Sequence, residues 1–275
     1  MNEQRNSSTR TGRPDGQPLQ LSTSIGHANA QRVHLRGRDL VDDLLGHLTY
    51  TQALLLAITG ELPGDKEVAA VDAVLVSLID HGMQPSALAA RMTYHAAPDA
   101  IQGAVAAGLL GAGSELLGSM EQAGKMLHEV AEVVADGATA NEAARTVVNR
   151  ILAAGKKIPG FGHNLHRAGD PRASRLLRVA DELGVAGTET AWLKEVGAVA
   201  KEVTGRDLMV NATGASAAIL LAVGVPWQLH RGLAMISRAA GLVAHIGEEM
   251  AHPITPEVRR ALRQASWLDE GESDE

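Results

Sequence analysis

The amino-acid sequence predicts an all-α fold, on three observations. Hydrophobic residues make up 45% of the chain but aromatic residues only 2%, so the apolar content is mostly Ala, Leu and Val, which suits close helix packing better than a β-sandwich. Apolar residues recur at helical spacing in successive segments, and Gly or Pro closes most of them. The longest apolar run, around Ala212 to Trp227, contains Thr, Ser and Pro and is shorter than the ~20 residues a membrane-spanning helix needs, so it reads as a buried helix.

Taken in order, residues 1–31 are a polar N-terminal tail without the apolar core of a secretory signal, for which a cytoplasmic location is the default expectation. Arg32 to Glu61 reads as helical, with Asp39 as N-cap, apolar spacing through Leu56, and Gly60 and Pro63 as stops. Val68 to Asp80 is a second helix, ending at Asp80-His81-Gly82, where His81 meets the negative end of the helix dipole and Gly82 caps it. Pro85 to Tyr94 and Asp99 to Leu110 follow, the latter rich in the small residues that let helices approach closely. Further helices are expected at Asn141 to Ala154, Pro171 to Leu183, Thr190 to Val203, Gln228 to Ala251 and Thr255 to Trp267. In the long helix from Gln228, Arg231, Arg238, His245 and His252 recur every seven residues. They lie roughly along one face, drifting ~20° per heptad, and an exposed polar stripe would explain them as well as a ligand-facing one.

Composition excludes several function classes. A formal net charge of −7 leaves no chain-wide basic field for nucleic acid, so an anionic ligand needs a local cluster of arginines. The chain has no cysteine, which removes disulfides, thiolate metal sites and thiol nucleophiles. No dinucleotide fingerprint is present. Glu249-x-x-His252 matches half of a di-iron pattern, but no second Glu-x-x-His accompanies it, so no metal is expected.

One stretch concentrates chemistry. Residues 158 to 173, IPGFGHNLHRAGDPRA, hold three glycines, two histidines and two arginines. Gly160 and Gly162 around Phe161 allow a tight turn whose N–H groups can approach a ligand. His163 can exchange a proton near neutral pH, and Arg167 and Arg172 can hold phosphate or carboxylate. A glycine-rich helix connector with a basic end is the plainer account of the same residues.

The stretch resembles the signature of the citrate synthase superfamily: Gly-aromatic-Gly-His163, Arg167 four residues on, and Asp170-Pro171-Arg172. In that family the His contacts the oxaloacetate part of the substrate, the first Arg lies near coenzyme A phosphates, and the last Arg grips a carboxylate. Further matches are Arg36 to Pro63, Asp80-His81-Gly82, and Ser237-Arg238-Ala239-Ala240-Gly241. The resemblance spans about residues 32 to 265 and implies a citrate synthase-like fold, with a large helical domain (32–113 and 226–268) and a smaller inserted one (114–225). It implies a homodimer or higher homo-oligomer whose site lies between the domains. It also implies a small-molecule carboxylate and an acyl-CoA as partners, with no bound cofactor, no nucleic acid and no membrane.

Two departures matter. Where citrate synthases carry Leu-His-Gly, this chain has Gly113-Ser114-Glu115, a replacement shared with the citryl-CoA lyase branch. Where the family has Asn-Val-Asp-Gly, this chain has Asn211-Ala212-Thr213-Gly214. A threonine hydroxyl does not ionise near neutral pH and is no ordinary general base, and such a base supplies typically ~10²- to 10⁴-fold in rate. The implied catalytic residues are His163, His81 and Thr213. Arg172, Arg238, His166 and His245 fall on the substrate side, and Gly160, Phe161, Gly162 and Arg167 on the coenzyme A side. The expected activity is cleavage of citryl-CoA, or a related 3-hydroxy-acyl-CoA, to acetyl-CoA and a 2-oxo acid. The alternatives are condensation with another 2-oxo acid, or a catalytically silent binder of acyl-CoA or dicarboxylate.

Overall fold

The computed structural model describes residues 22–162 and 169–266, except for the side chains of 114–116. Residues up to Leu62 and residues from Pro63 onward form two compact units.

In the first unit the expected long helix is replaced by a small sheet and a shorter helix. Strands β1 (Gly26–Ala28), β2 (Val33–Leu35) and β3 (Arg38–Asp39) pair antiparallel in that order. The two-residue turn between β2 and β3 places both Arg36 (φ 49°) and Gly37 (φ 77°) in the left-handed region, the geometry that matches the twist of a hairpin. Arg36 sustains that conformation with its side chain, donating from Nε and Nη2 to the carbonyl of Ala57 at 3.0 and 2.7 Å. Asp39 does act as an N-cap, accepting from the N–H groups of Val41 and Asp42, but of a single π-helical turn over Leu40–Leu44. Gly46, at φ 79°, breaks the chain after it. Helix α1 (Tyr50–Thr59) then starts afresh with a reciprocal cap between Thr49 and Gln52 and stops at Gly60 in the left-handed conformation.

The described residues of the second unit include the helices α2 (Asp65–Leu78), α3 (Pro85–Ala96), α4 (Ile101–Ala135), α5 (Ala140–Ala153), α6 (Pro171–Leu183), α7 (Thr188–Thr204), α8 (Ala212–Ala222), α9 (His230–Ala251) and α10 (Thr255–Ala265). The expected break after Leu110 appears as a kink, because Gly113 leaves helical geometry at φ 51°, ψ −165° and α4 resumes beyond it. The apolar run from Ala212 is the buried helix that its composition indicates, with Ala212 and Gly214 to Leu220 all inside. It packs beside a core of Met126, Leu127 and Val130 from α4, Val147 and Val148 from α5, and Leu193, Val196 and Val199 from α7. A smaller cluster of Ala90, Ala104, Leu242 and Ile246 joins α3, α4 and α9. Among the described residues, no helix is long and apolar enough to cross a membrane.

A buried ionic knot fixes α9 against α3 and α10. Arg91 of α3 is 1% exposed and donates from Nε to Glu249 at 2.8 Å, from Nη1 to Glu248 at 2.6 Å and from Nη2 to the carbonyl of His252 at 3.0 Å. Glu249 also accepts the backbone N–H groups of Ile254 and Thr255, which lead into α10. Burial alone would raise the Glu249 pKa, but the Arg91 bond and these N–H groups hold it at about 2. Removing one partner of such a pair strands a buried charge, so Arg91→Met is expected to cost about 3–5 kcal/mol near neutral pH. A depressed carboxylate stabilises the fold above its unfolded pKa and loses that contribution as pH falls through the folded one. Chemical denaturation of Glu249→Gln against wild type should therefore show a gap that narrows as pH drops from the ordinary 4.5 toward about 2.

Candidate active site

The glycine-rich turn is built by backbone pairing with a segment fifty residues away. The N–H of Gly162 donates to the Met209 carbonyl at 2.8 Å, the N–H of Asn211 donates to the Gly160 carbonyl at 3.0 Å, and Phe161 bridges to Val210. Asn211 completes the zip, donating from Nδ2 to the Gly162 carbonyl and capping α8 through Oδ1, which accepts from the N–H of Gly214. The approach requires glycine on both sides, since a Cβ on Gly160 would lie 2.8 Å from the Gly214 Cα and one on Gly214 would lie 2.4 Å from the Gly160 carbonyl oxygen. Phe161 packs against the α4–α5–α7 core. Gly160, Phe161 and Gly162, expected on the coenzyme A side, thus spend these groups on holding the turn to α8, and they lie outside the cavity lining. His163, His166 and Arg167 lie outside the described residues.

Asp170 ties two helix starts together. Its carboxylate caps α6 through the N–H of Arg172 at 3.0 Å, accepts the N–H of Ala212 at the start of α8 at 3.0 Å, and receives Arg172 Nε and Nη2 at 3.1 and 3.0 Å. Burial opposes its ionisation, yet these bonds hold its pKa at about 2. Asp170 is therefore a fixed anion. Its place in the motif is plain from the sequence, and an Asp before a Pro that opens a helix is a readable N-cap, but nothing local announces its link to α8.

The second wall comes from the packing of α9 on the end of α2. A Cβ on Gly241 would fall 1.9 Å from the Ile79 carbonyl oxygen, so α2 and α9 touch through backbone there. One turn earlier on α9, Ser237 Oγ donates to the Leu75 carbonyl and Arg238 Nη2 to the Leu78 carbonyl at 3.1 Å. The Ser-Arg-x-x-Gly string is thus a clasp on the carbonyl end of α2, whose partial negative charge favours a cation.

These walls border an open cavity of about 150 Å³ lined by His81, Ser119, Asp170, Arg172, Thr213 and Arg238, with apolar residues that include Leu78 and Met120. His81, Arg172, Thr213 and Arg238 come from four separate stretches of the sequence and meet there. Thr213 donates from Oγ1 to Asn211 Oδ1 at 2.7 Å, which turns its oxygen lone pairs away from that bond. Arg238 is 9% exposed and its Nε has no hydrogen-bond partner among the described residues. Burial lowers its pKa, the Asp80 charge partly offsets this, and the Arg172 charge adds to it. His245 stands behind the wall, with Nε2 on Asp80 Oδ1 at 2.9 Å, and does not line the cavity. The seven-residue series is not one solvated stripe: Arg238 is buried, Arg231 pairs with Glu121 at 2.6 Å and His245 bonds Asp80, whereas His252 follows α9 and is exposed.

The mainly helical second unit thus places two arginines and a histidine around one small cavity. The citrate synthase C-terminal domain family matches residues 6–260, and the chain belongs to the citrate synthase family. Over 93% of this chain and 96% of the other, the structure is similar to citryl-CoA lyase from Hydrogenobacter thermophilus, with TM-score 0.81 and 32% identity. ATP citrate lyase from Methanothrix soehngenii, solved with citrate and coenzyme A, shares the fold over 94% of this chain and 43% of its own, with TM-score 0.70 and 19% identity. Among curated relatives, a citrate synthase-like protein of Aspergillus oryzae is 32% identical over 82% of this chain and 51% of its own length. Citrate synthase 2 of Bacillus subtilis is 31% identical over 71% and 50%. The chain spans about half the length of these curated relatives.

The clasp can be tested with two glycines on one helix. Gly241→Ala must push backbone apart and is expected to cost about 1–3 kcal/mol, and to lose anion binding. Gly232→Ala meets nothing within 4 Å and should stabilise by roughly 0.5–1 kcal/mol through helix propensity. Thermal melts of the two variants compare them directly.

Proposed function

We propose that the chain is a citryl-CoA lyase-like enzyme that splits citryl-CoA, or a related 3-hydroxy-acyl-CoA, into acetyl-CoA and a 2-oxo acid. The observation that carries this is the surplus guanidinium charge. Arg172 and Arg238 face one cavity whose described carboxylate, Asp170, is already committed to bonds with Arg172 and α8, and a tricarboxylate portion would supply the missing anions. The similarity to citryl-CoA lyase over nearly the whole of both chains supports the same reading.

In the cleavage, the tertiary hydroxyl loses its proton, the bond between the hydroxyl-bearing carbon and the thioester α-carbon breaks, and its electrons pass to the thioester enolate. The hydroxyl carbon becomes the ketone, and the enolate takes up one proton to give acetyl-CoA. Arg172 and Arg238 would fix the carboxylates, and His81 and His163 would meet the oxygen that becomes the ketone. Thr213, with its proton given to Asn211, would accept a hydrogen bond from the substrate hydroxyl without removing its proton. Arg167 would meet coenzyme A, residues 114–225 would move as the smaller domain, and two or more copies would assemble.

A second reading, condensation of acetyl-CoA with a 2-oxo acid, is favoured by the citrate synthase names of the curated relatives. The two are separated by supplying citryl-CoA and following oxaloacetate, and by supplying acetyl-CoA with a panel of 2-oxo acids and following free coenzyme A. Oxaloacetate release by wild type, lost in His163→Ala, is expected. Arg238→Gln should lower kcat/KM by roughly 10- to 100-fold, the worth of a hydrogen bond to a charged group. Absence of turnover in wild type, or full turnover in His163→Ala, overturns the assignment.

A further inference from the structure

The charge that balances Arg238 is held near it but kept off it. Asp80 follows the end of α2, with Oδ2 accepting the Gly82 N–H at 2.8 Å and Oδ1 bonded to His245 Nε2 at 2.9 Å. Burial works against its ionisation, and the bonds from Gly82, His245 and the His81 N–H bring its pKa below the usual range. Since an ionised carboxylate can only accept, the His245 proton in this bond sits on Nε2. Asp80 is the carboxylate whose field favours the charged form of Arg238, yet no ion pair joins the two among the described residues, where the pairs of His245 and Arg91 are present. A half-exposed carboxylate beside a buried guanidinium with an unpartnered Nε would gain a charge-assisted bond by closing on it.

What holds Asp80 back is an imidazole with little freedom of its own. The His245 side chain is 13% exposed, and its Nδ1 lies 3.9 Å from Glu248 Oε2, the same oxygen that Arg91 fixes. That Nδ1 makes no hydrogen bond among the described residues, so it is the burial of the ring against its surroundings, not a bond to Glu248, that limits its movement.

We propose that His245 is a positioning residue for the cavity: its Nε2–H restrains Asp80 from pairing with Arg238, leaving that guanidinium open to a ligand carboxylate and keeping His81, in the Asp80–Gly82 turn, at the cavity wall. The inference rests on the proposed reading of the cavity as a carboxylate site, but not on which reaction follows.

Citrate binding measured by calorimetry tests it in wild type, His245→Ala, His245→Gln and the double variant His245→Ala/Asp80→Asn. His245→Ala should weaken citrate about 10- to 100-fold, the worth of a hydrogen bond to a charged group. His245→Gln, whose amide N–H can reach the same oxygen, should stay near wild type. The double variant should regain most of the affinity, because the substituted amide has no charge to pair with Arg238 while its oxygen can still accept the Gly82 N–H. An unchanged His245→Ala overturns the proposal, as does a loss of equal size in the double variant, the pattern expected of simple unfolding. Should wild type bind no citrate, the carboxylate reading falls, and the restraint is then read from the His81 imidazole NMR resonance, assigned by its absence in His81→Gln. A shift in His245→Ala that reverts in the double variant supports the restraint, and no shift refutes it.

Discussion

The seat of the α2 carbonyl end on α9, where Gly241 admits backbone against backbone, is the contact from which the rest of the site follows. It sets the two helices close enough for Ser237 and Arg238 to bond the carbonyls of Leu75 and Leu78. A guanidinium bonded to a carbonyl dipole keeps its full charge, unlike one neutralised by a carboxylate, and in a partly buried place that charge attracts an anion strongly. The same contact carries the Asp80–Gly82 turn, and with it His81, to the cavity. Farther along α9, Arg91 and Glu249 lock the helix against α3 and α10, so the register that serves the site is held at both ends.

The opposite wall obeys a different constraint. Asp170 accepts from two helix starts and one guanidinium, and a carboxylate that is saturated in this way gives up proton chemistry in exchange for geometry. Thr213, next to the Ala212 N–H that Asp170 receives, does not ionise near neutrality either. Of the described residues that line the cavity, His81 is thus the imidazole, the side-chain type suited to proton exchange. One wall fixes orientation and the other supplies charge.

The sequence shows local features and hides distant ones. Pro171 to Leu183 is readable to the residue because both of its signals are local, Asp-Pro at the start and Gly184 at the end. The N-terminal sheet is not, because strands of two or three residues leave no alternation to read, and Leu-rich spacing over Leu40 to Leu56 looks like one helix until Gly46 breaks it. The need for glycine at Gly160 is visible, but its reason, the Gly214 backbone, lies more than fifty residues on. The seven-residue spacing of His245 from Arg238 draws it to the site. That places it on the right side of α9 but one contact too close, because its partner Asp80 follows α2 and no periodicity within one helix can reveal it.

The direction of the reaction does not follow from Thr213. Cleavage and condensation are one path travelled in opposite senses, so a site short of a base for the carbon proton is slowed both ways by the same factor in that proton step. What changes with direction is where the step falls. In cleavage an enolate is already formed and can be quenched by water, whereas in condensation the proton must be taken from a weakly acidic methyl group before the carbon bond can form. On the proposed reading, a threonine at this position would limit how fast acetyl-CoA is activated, and would leave breaking of the carbon bond to the groups that hold the oxygen and carboxylates. Those groups are what the cavity supplies in surplus.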